Sequence, residues 1–215
     1  MSEQIFVVED HPVVREGYTS MFEEEMGLTV CGETESAKEA RRLVPDLDPD
    51  LSIVDLSLEE GSGLELIKDL HATASERPIL VISIHEETLY AERALRAGAR
   101  GYLMKSEASS RVVEAARRVL DGGLFLSPSL NKDLLLQYVR NEHSVSTSSL
   151  HSLSDRELQI FELMGEGLTR REIGDQLALS PKTIDSHRSS LKKKLSIDTN
   201  EELRRRAAIW VELEA

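Results

Sequence analysis

Cysteine is nearly absent from this 215-residue sequence, and Cys31 is the only one. A single thiol cannot build an internal disulfide framework, which fits a reducing cytoplasm. Cys31 lies in the apolar run LTVCG and is expected to be a buried structural thiol rather than a nucleophile. Long apolar runs are missing too: none approaches the roughly 20 residues that a membrane helix needs. The opening MSEQIFVVED lacks the basic region and apolar stretch of a secretory signal. These absences argue against a membrane partner and for a soluble cytoplasmic protein. Phosphate-cradling glycine loops are also lacking. There is no GxxxxGK[ST], and GSG (61–63) and GG (122–123) are too short to be fingerprints and read as turns.

Charge is present in abundance, and it is unevenly placed. The whole chain carries a formal net charge of −13. Residues 1–150 hold 15 Lys and Arg against 27 Asp and Glu, a net of −12. Residues 151–215 hold 11 against 12, a net of −1. A strongly acidic protein should avoid nucleic acid, but a nearly neutral C-terminal part with local basic clusters need not.

Two organisations follow one another along the chain. Short β-branched runs at 5–8, 28–32, 51–55, 79–83 and 101–104 alternate with amphipathic helical patterns at 12–25, 36–45, 63–74, 86–97 and 108–121. Unalternating apolar strands separated by helices predict a five-stranded parallel, doubly wound α/β sheet covered on both faces. Its functional crevice should lie at the carboxyl ends of the strands. A helical stretch at 128–141 and the Ser/Thr/His-rich EHSVSTSSLHS then read as a linker. From Ser154 onward every pattern is helical, at 154–166, 169–178, 181–195 and 199–212. The expected domains are 1–125, a linker 126–149 including a helix, and 150–215.

Carboxylates collect where the crevice is expected. Glu9 and Asp10 follow the first strand and Asp55 ends the third; Ser83 ends the fourth and Lys105 follows the fifth. Three converging acids repel unless a cation sits among them. Hard oxygen donors in a small pocket favour Mg²⁺. A hydroxyl and an ammonium opposite the metal suit an anionic group, so the set describes a carboxylate that accepts a phosphoryl group. A dehalogenase-type phosphatase would want a second Asp two residues after the nucleophile, where Ser57 stands. A flavin-phosphate loop after the first strand would be repelled by Glu9 and Asp10.

The segments VVEDHPVVREG, IVDLSLEEGSGLELI, VISIHEE and ALRAGARGYLMKSEAS resemble the receiver domain of bacterial two-component response regulators, over about residues 4–121. The EDHP…REG and AGARGYLMK forms resemble the NarL/FixJ subfamily, with a flavodoxin/CheY-like fold. The resemblance implies phosphorylation of Asp55 by a histidine kinase, with Asp10 and Asp55 binding Mg²⁺. Glu9 would act through water, and the backbone carbonyl of Ser57 would complete the protein ligands. Ser83 would hydrogen-bond the phosphoryl oxygens, Lys105 would pair with them, and Tyr102 would change rotamer on activation. Two positions depart from the family pattern. Glu59 is expected to alter metal affinity or water access, and Ile84 to narrow the phosphodonor's approach or limit Tyr102.

In LSPKTIDSHRSSLKKKL, Ser180 as N-cap and Pro181 as first residue start a helix. Ile184, Leu191 and Leu195 share one face, within about 40° of each other. Lys182, Ser186, Ser189 and Lys193 lie on the opposite face, with Asp185 and Lys192 on its flank. The preceding LTRREIGDQLALS, with Ile173 and Leu177 inward, makes the pair a helix-turn-helix. Residues 150–212 resemble the LuxR-type DNA-binding domain, with Glu157, Gly167, Glu172, Ile173, Thr183, His187, Lys194 and Leu195 in the family's places. By that resemblance 181–195 is the recognition helix. Phosphate contacts are expected from Lys182, Thr183, Arg188, Lys192, Lys193 and either Arg170 or Arg171, and base-edge contacts from Asp185, Ser186 and Ser189. Asp185 either accepts from cytosine N4 or serves the helix N-terminus electrostatically. His187 is expected to pack, and the RRR run at 204–206 to be solvated or near phosphate.

The sequence therefore predicts a response regulator transcription factor: an α/β receiver followed by an all-α helix-turn-helix domain. Its partners would be DNA, a histidine kinase, a second copy of the chain on phosphorylation, and RNA polymerase. No turnover of an external substrate is expected. A receiver acting without phosphorylation, as a protein-interaction module, is the alternative.

Overall fold

The protein is described by a computed structural model covering residues 2–58, 61–107, 109–128, 130–132 and 149–214. The chain divides into two compact units, residues 1–136 and 137–215. Glu59, most of the expected linker and most of the helix expected at 128–141 lie outside the described residues.

The first unit alternates strand and helix as the sequence predicts. Its elements are β1 (Glu3–Val8), α1 (Pro12–Glu24), β2 (Leu28–Thr34), α2 (Ala37–Leu47), β3 (Leu51–Val54), α3 (Gly63–Thr73), β4 (Ile79–Ser83), α4 (Glu87–Ala97), β5 (Gly101–Met104) and α5 (Ser109–Leu120). All strand pairs are parallel, in the order β2-β1-β3-β4-β5. Every residue of β3 and β4 is buried, as expected of central strands covered on both faces. One core cluster joins Tyr18 and Phe22 of α1 and Val112, Ala115, Ala116 and Val119 of α5 to Ile5, Val7, Ile53, Leu80 and Ile82 of the sheet. The order reverses between β1 and β3, so the crevice of a doubly wound sheet falls beyond their carboxyl ends.

The open edge of β5 is covered. Tyr102 N–H donates to Phe125 O at 2.9 Å, and Phe125 N–H to Arg100 O at 3.1 Å. The other edge, β2, corrects one expectation. Only its end residues Leu28 and Thr34 are buried, and Cys31 is half-buried rather than buried. An edge strand is sheltered from one side only, so LTVCG does not behave like the central runs.

The second unit contains a 3₁₀ turn at Ser149–Ser152, α6 (Asp155–Gly165), α7 (Arg170–Gln176), α8 (Pro181–Leu195) and α9 (Asn200–Glu214). Local sequence sets each start. Ser154 with Glu157 and Thr169 with Glu172 form reciprocal capping boxes. Ser180 caps α8, with Pro181 at the first position, as predicted. The turn between α7 and α8 is tight, with Leu179 N–H donating to Gly174 O at 2.8 Å. A Cβ on Gly174 would lie 2.8 Å from Leu179 O, so only glycine permits this approach. Ile173, Leu177, Ile184, Leu191 and Leu195 are buried together with Leu158, Phe161 and Leu203.

Candidate functional site

Four strand ends deliver the side chains of the crevice. Glu9, Asp10 and His11 follow β1, Asp55 follows β3, Ser83 closes β4, and Lys105 follows β5. The strand ladders extend far enough to fix these positions. Asp55 N–H donates to Val8 O at 2.9 Å, Glu9 N–H to Thr34 O at 3.0 Å, and Lys105 N–H to Ser83 O at 2.8 Å. Gly63, at the start of α3, lets that helix press against the Asp55 loop; a Cβ there would lie 2.3 Å from Asp55 O. Arg15 on α1 ties down the first loop, with Nη1 donating to Glu9 O at 2.6 Å.

The carboxylates are brought together in a nearly dry place. Glu9 and Asp55 are each 1% exposed. Ligand-type atoms of Glu9, Asp10, His11 and Asp55 all lie within 4.8 Å of one another. Lys105 Nζ sits between two of the acids, 2.7 Å from Glu9 Oε2 and 2.8 Å from Asp55 Oδ2. His11 Nδ1 lies 2.6 Å from Asp10 Oδ1. The donors other than His11 are hard oxygens, and a pocket with this many of them fits Mg²⁺.

The electrostatics follow from burial and from these neighbours. Burial pushes the Asp55 pKa up to about 6, with Glu9 adding to the rise while Lys105 and the Ser57 N–H oppose it. For Lys105 burial favours the neutral form, but Asp55 and Glu9 outweigh it and hold the ammonium above its ordinary range. His11 behaves alike: burial lowers its pKa, and Asp10 and Glu9 together raise it further. The Tyr18 hydroxyl is held up by burial first and then by Glu9 and Asp55. Around pH 7 Asp55 is thus a mostly ionised carboxylate of raised basicity beside a fixed cation. That is what a carboxylate nucleophile toward phosphorus requires.

Ser57, Ser83 and Tyr102 meet at a residue to which the sequence argument gave no role, His85. Ser57 Oγ and His85 Nε2 are 2.8 Å apart. The Tyr102 hydroxyl donates to His85 O at 2.8 Å, and His85 N–H points at Ser83 Oγ at 3.4 Å. The imidazole stacks on Tyr90 with centroids 4.4 Å apart. Burial, and then the Lys105 charge, pull its pKa down to about 4, so it is neutral. Ile84 beside it is 57% exposed. Neither His85 nor His11 announces itself in the sequence except by standing next to residues already singled out.

On the second unit, α8 presents Lys182, Ser186, Ser189 and Lys193 outward, all exposed, while Thr183, Arg188 and Lys192 are half-buried on the flanks. Thr183 also serves the helix start, its N–H donating to Ser180 Oγ at 3.1 Å. The exposed Ser189 donates its hydroxyl to Asp185 O at 2.9 Å. Arg170 and Asp185, both expected at nucleic acid, are bound to each other at 2.7 Å. Arg171 is exposed and lies 3.7 Å from Asp175. Lys194 turns away from the other lysines, 2.6 Å from Glu157 and 3.0 Å from Ser152 O. Among the described residues no helix is long and apolar enough to cross a membrane.

Comparison with known proteins covers both units. Residues 5–117 match the response regulator receiver domain family, and residues 151–207 match the luxR family of bacterial regulatory proteins. The transcriptional regulatory protein DegU of Brevibacillus brevis is 30% identical over 208 residues, covering 91% of this chain and 88% of its own length. A structure of the RcsB response regulator of Salmonella typhimurium, solved in connection with DNA interaction, is 25% identical with a TM-score of 0.72, covering 97% of this chain and 98% of that one. A structure of two RcsB dimers bound to two parallel DNAs is 25% identical with a TM-score of 0.58, covering 95% of this chain and 97% of that one.

Proposed function

We propose that this chain, which belongs to the response regulators joining a receiver domain to a LuxR-type DNA-binding domain, accepts a phosphoryl group on Asp55 and binds DNA through α8. The observation that carries the first half is the convergence of Glu9, Asp10, Asp55, Ser83 and Lys105 from four strand ends around one buried carboxylate. The ionised Asp55 oxygen attacks the phosphorus of a phosphohistidine on a histidine kinase; an O–P bond forms and the N–P bond breaks. Lys105, already against Asp55, meets the incoming phosphoryl oxygens, and the Ser83 hydroxyl donates to them. When bound, Mg²⁺ supplies neutralisation of the transferring charge; Asp10, Asp55 and the Ser57 carbonyl would hold it, with Glu9 acting through water. The phosphoryl group then stays on Asp55 as a signal, with no external substrate turned over.

The readout runs through residue 85. Ser83 and Tyr102 both fasten to the backbone of His85. A phosphoryl group that draws the Ser83 hydroxyl therefore alters the acceptor of Tyr102 and shifts the receiver between two populations. On the second unit, Lys182, Thr183, Arg188, Lys192 and Lys193, with Arg170 and Arg171, contact phosphates, while Ser186 and Ser189 reach base edges. Asp185 orients Arg170 in the free protein. A dimer formed on phosphorylation places two α8 helices on two half-sites, in the cytoplasm and within reach of RNA polymerase.

Incubation of the full chain with Mg²⁺ and a small phosphodonor, followed by intact mass measurement, tests the site. One phosphoryl group is expected on the wild type and none on Asp55→Asn. Labelling that persists in the variant contradicts the assignment.

A further inference from the structure

The three arginines Arg204, Arg205 and Arg206 look alike in sequence but diverge on α9. Leu203 and Ala207, both fully buried, mark the inward stripe of the helix. With about 100° per residue, Arg204 and Arg206 flank that stripe on opposite sides and Arg205 points outward. Arg206 is accounted for, since its Nη1 donates to Leu195 O at 3.2 Å at the end of α8. Arg204 lies on the other flank, exposed, near Arg188.

Arg188 stands in the corresponding place on α8, about 40° from the stripe of Ile184, Leu191 and Leu195. That position buries its Nε, which has no hydrogen-bond partner. Its electrostatic surroundings are mostly unfavourable: after burial, Arg204 acts most strongly against its charged form, with Arg170 acting in the same sense. Asp185 alone opposes them, and it is bound to Arg170 at 2.7 Å. Asp185 is thus committed to Arg170, Arg204 adds positive charge beside Arg188, and a buried donor of Arg188 is left unused. Unused buried donors are costly, and like charges held together destabilise a fold unless an anion joins them.

We propose that Arg188 and Arg204, with Arg170 held alongside by Asp185, form a cleft for one phosphodiester group of the DNA backbone. The inference rests on the DNA-binding reading of α8 and extends the interface to α9, choosing for Arg204 between the solvated and phosphate-adjacent places expected of the RRR run. Guanidinium groups suit this ligand because their fork matches two phosphate oxygens. The contact positions the recognition helix and reads no base.

The test compares the full chain with Arg204→Gln and, as a control for net charge, Arg205→Gln. DNA affinity is measured across a salt series on several sequences. Arg204→Gln should bind about tenfold more weakly at low salt on every sequence, with a log–log salt slope shallower by about one. Arg205→Gln should change both much less. Thermal unfolding followed by Trp210 fluorescence supplies a second readout. At low salt Arg204→Gln should melt higher than wild type, because repulsion is relieved. Inorganic phosphate, against sodium chloride of equal ionic strength, should stabilise wild type and Arg205→Gln but not Arg204→Gln. Equal affinities and slopes for the two variants would overturn the proposal, as would equal stabilisation of all three proteins by phosphate. If wild type binds no DNA, the reading of α8 fails, and the phosphate-dependent melting alone decides the cleft.

Discussion

Lowering the pH sets two buried groups of the receiver against each other. His85 is neutral when folded, with a pKa pulled from 6.5 to about 4 by burial and Lys105. Between those values the unfolded chain binds a proton that the folded chain refuses. Its contribution is therefore complete above about pH 6.5, falls as pH drops, and stops falling below about pH 4. From pH 7.5 to 5 the loss is about 2 kcal/mol. Asp55 has the opposite sign. Its folded pKa is raised from 3.8 to about 6, so the folded state takes up the proton first and gains about 1.4 kcal/mol over the same interval. The two nearly cancel in the native chain, and each should be unmasked by removing the other. Asp55→Asn should lose about 2 kcal/mol between pH 7.5 and 5, His85→Gln should gain about 1.4, and wild type should change by less than about 1. The assay is urea unfolding in the presence of a chelator, followed by near-ultraviolet tyrosine circular dichroism. Three of the four tyrosines, Tyr18, Tyr90 and Tyr102, belong to the first unit, whereas the sole tryptophan, Trp210, reports the second. Parallel pH profiles for the three proteins would refute the reasoning.

Two further outcomes are expected. Glu157 is buried first of all, which disfavours its charge, but Lys194 and the Ser154 cap together hold its carboxyl below the usual range. A depressed folded pKa contributes stability that is present above about pH 4.5 and disappears as pH falls through the folded value. Glu157→Gln should therefore cost roughly 1 kcal/mol at pH 7 and almost nothing at pH 3, by Trp210 fluorescence in urea. Lys193→Ala should weaken DNA binding evenly across sequences and make its salt dependence shallower; a loss confined to some sequences would mark Lys193 as a base contact.

Much of the receiver was legible because central parallel strands read as unbroken apolar runs, and the residues just past them are the ones that line the crevice. Glu9, Asp55, Ser83 and Lys105 could be placed together from strand ends alone. Cys31 was misjudged because an edge strand carries apolar residues without being covered on both sides. What stayed hidden depends on contacts between residues distant in the chain. His85 meets Ser57 across 28 positions, Arg170 meets Asp185 across 15, and Lys194 meets Glu157 across 37. A run such as LKKKL shows charge but not direction. Only the packing of α6 against α8 shows that Lys194 is engaged by Glu157 while Lys193 faces outward.

The central claim is that phosphorylation of Asp55 governs DNA binding by α8. The measurement that meets it most directly is DNA affinity of the wild type and Asp55→Asn, each with and without a small phosphodonor and Mg²⁺, on sequences selected with the phosphorylated chain. The wild type should bind more tightly, and as a dimer, only after phosphodonor treatment, and Asp55→Asn should be indifferent to it. Equal affinity of the wild type in both states, or a phosphodonor response that survives Asp55→Asn, would contradict it.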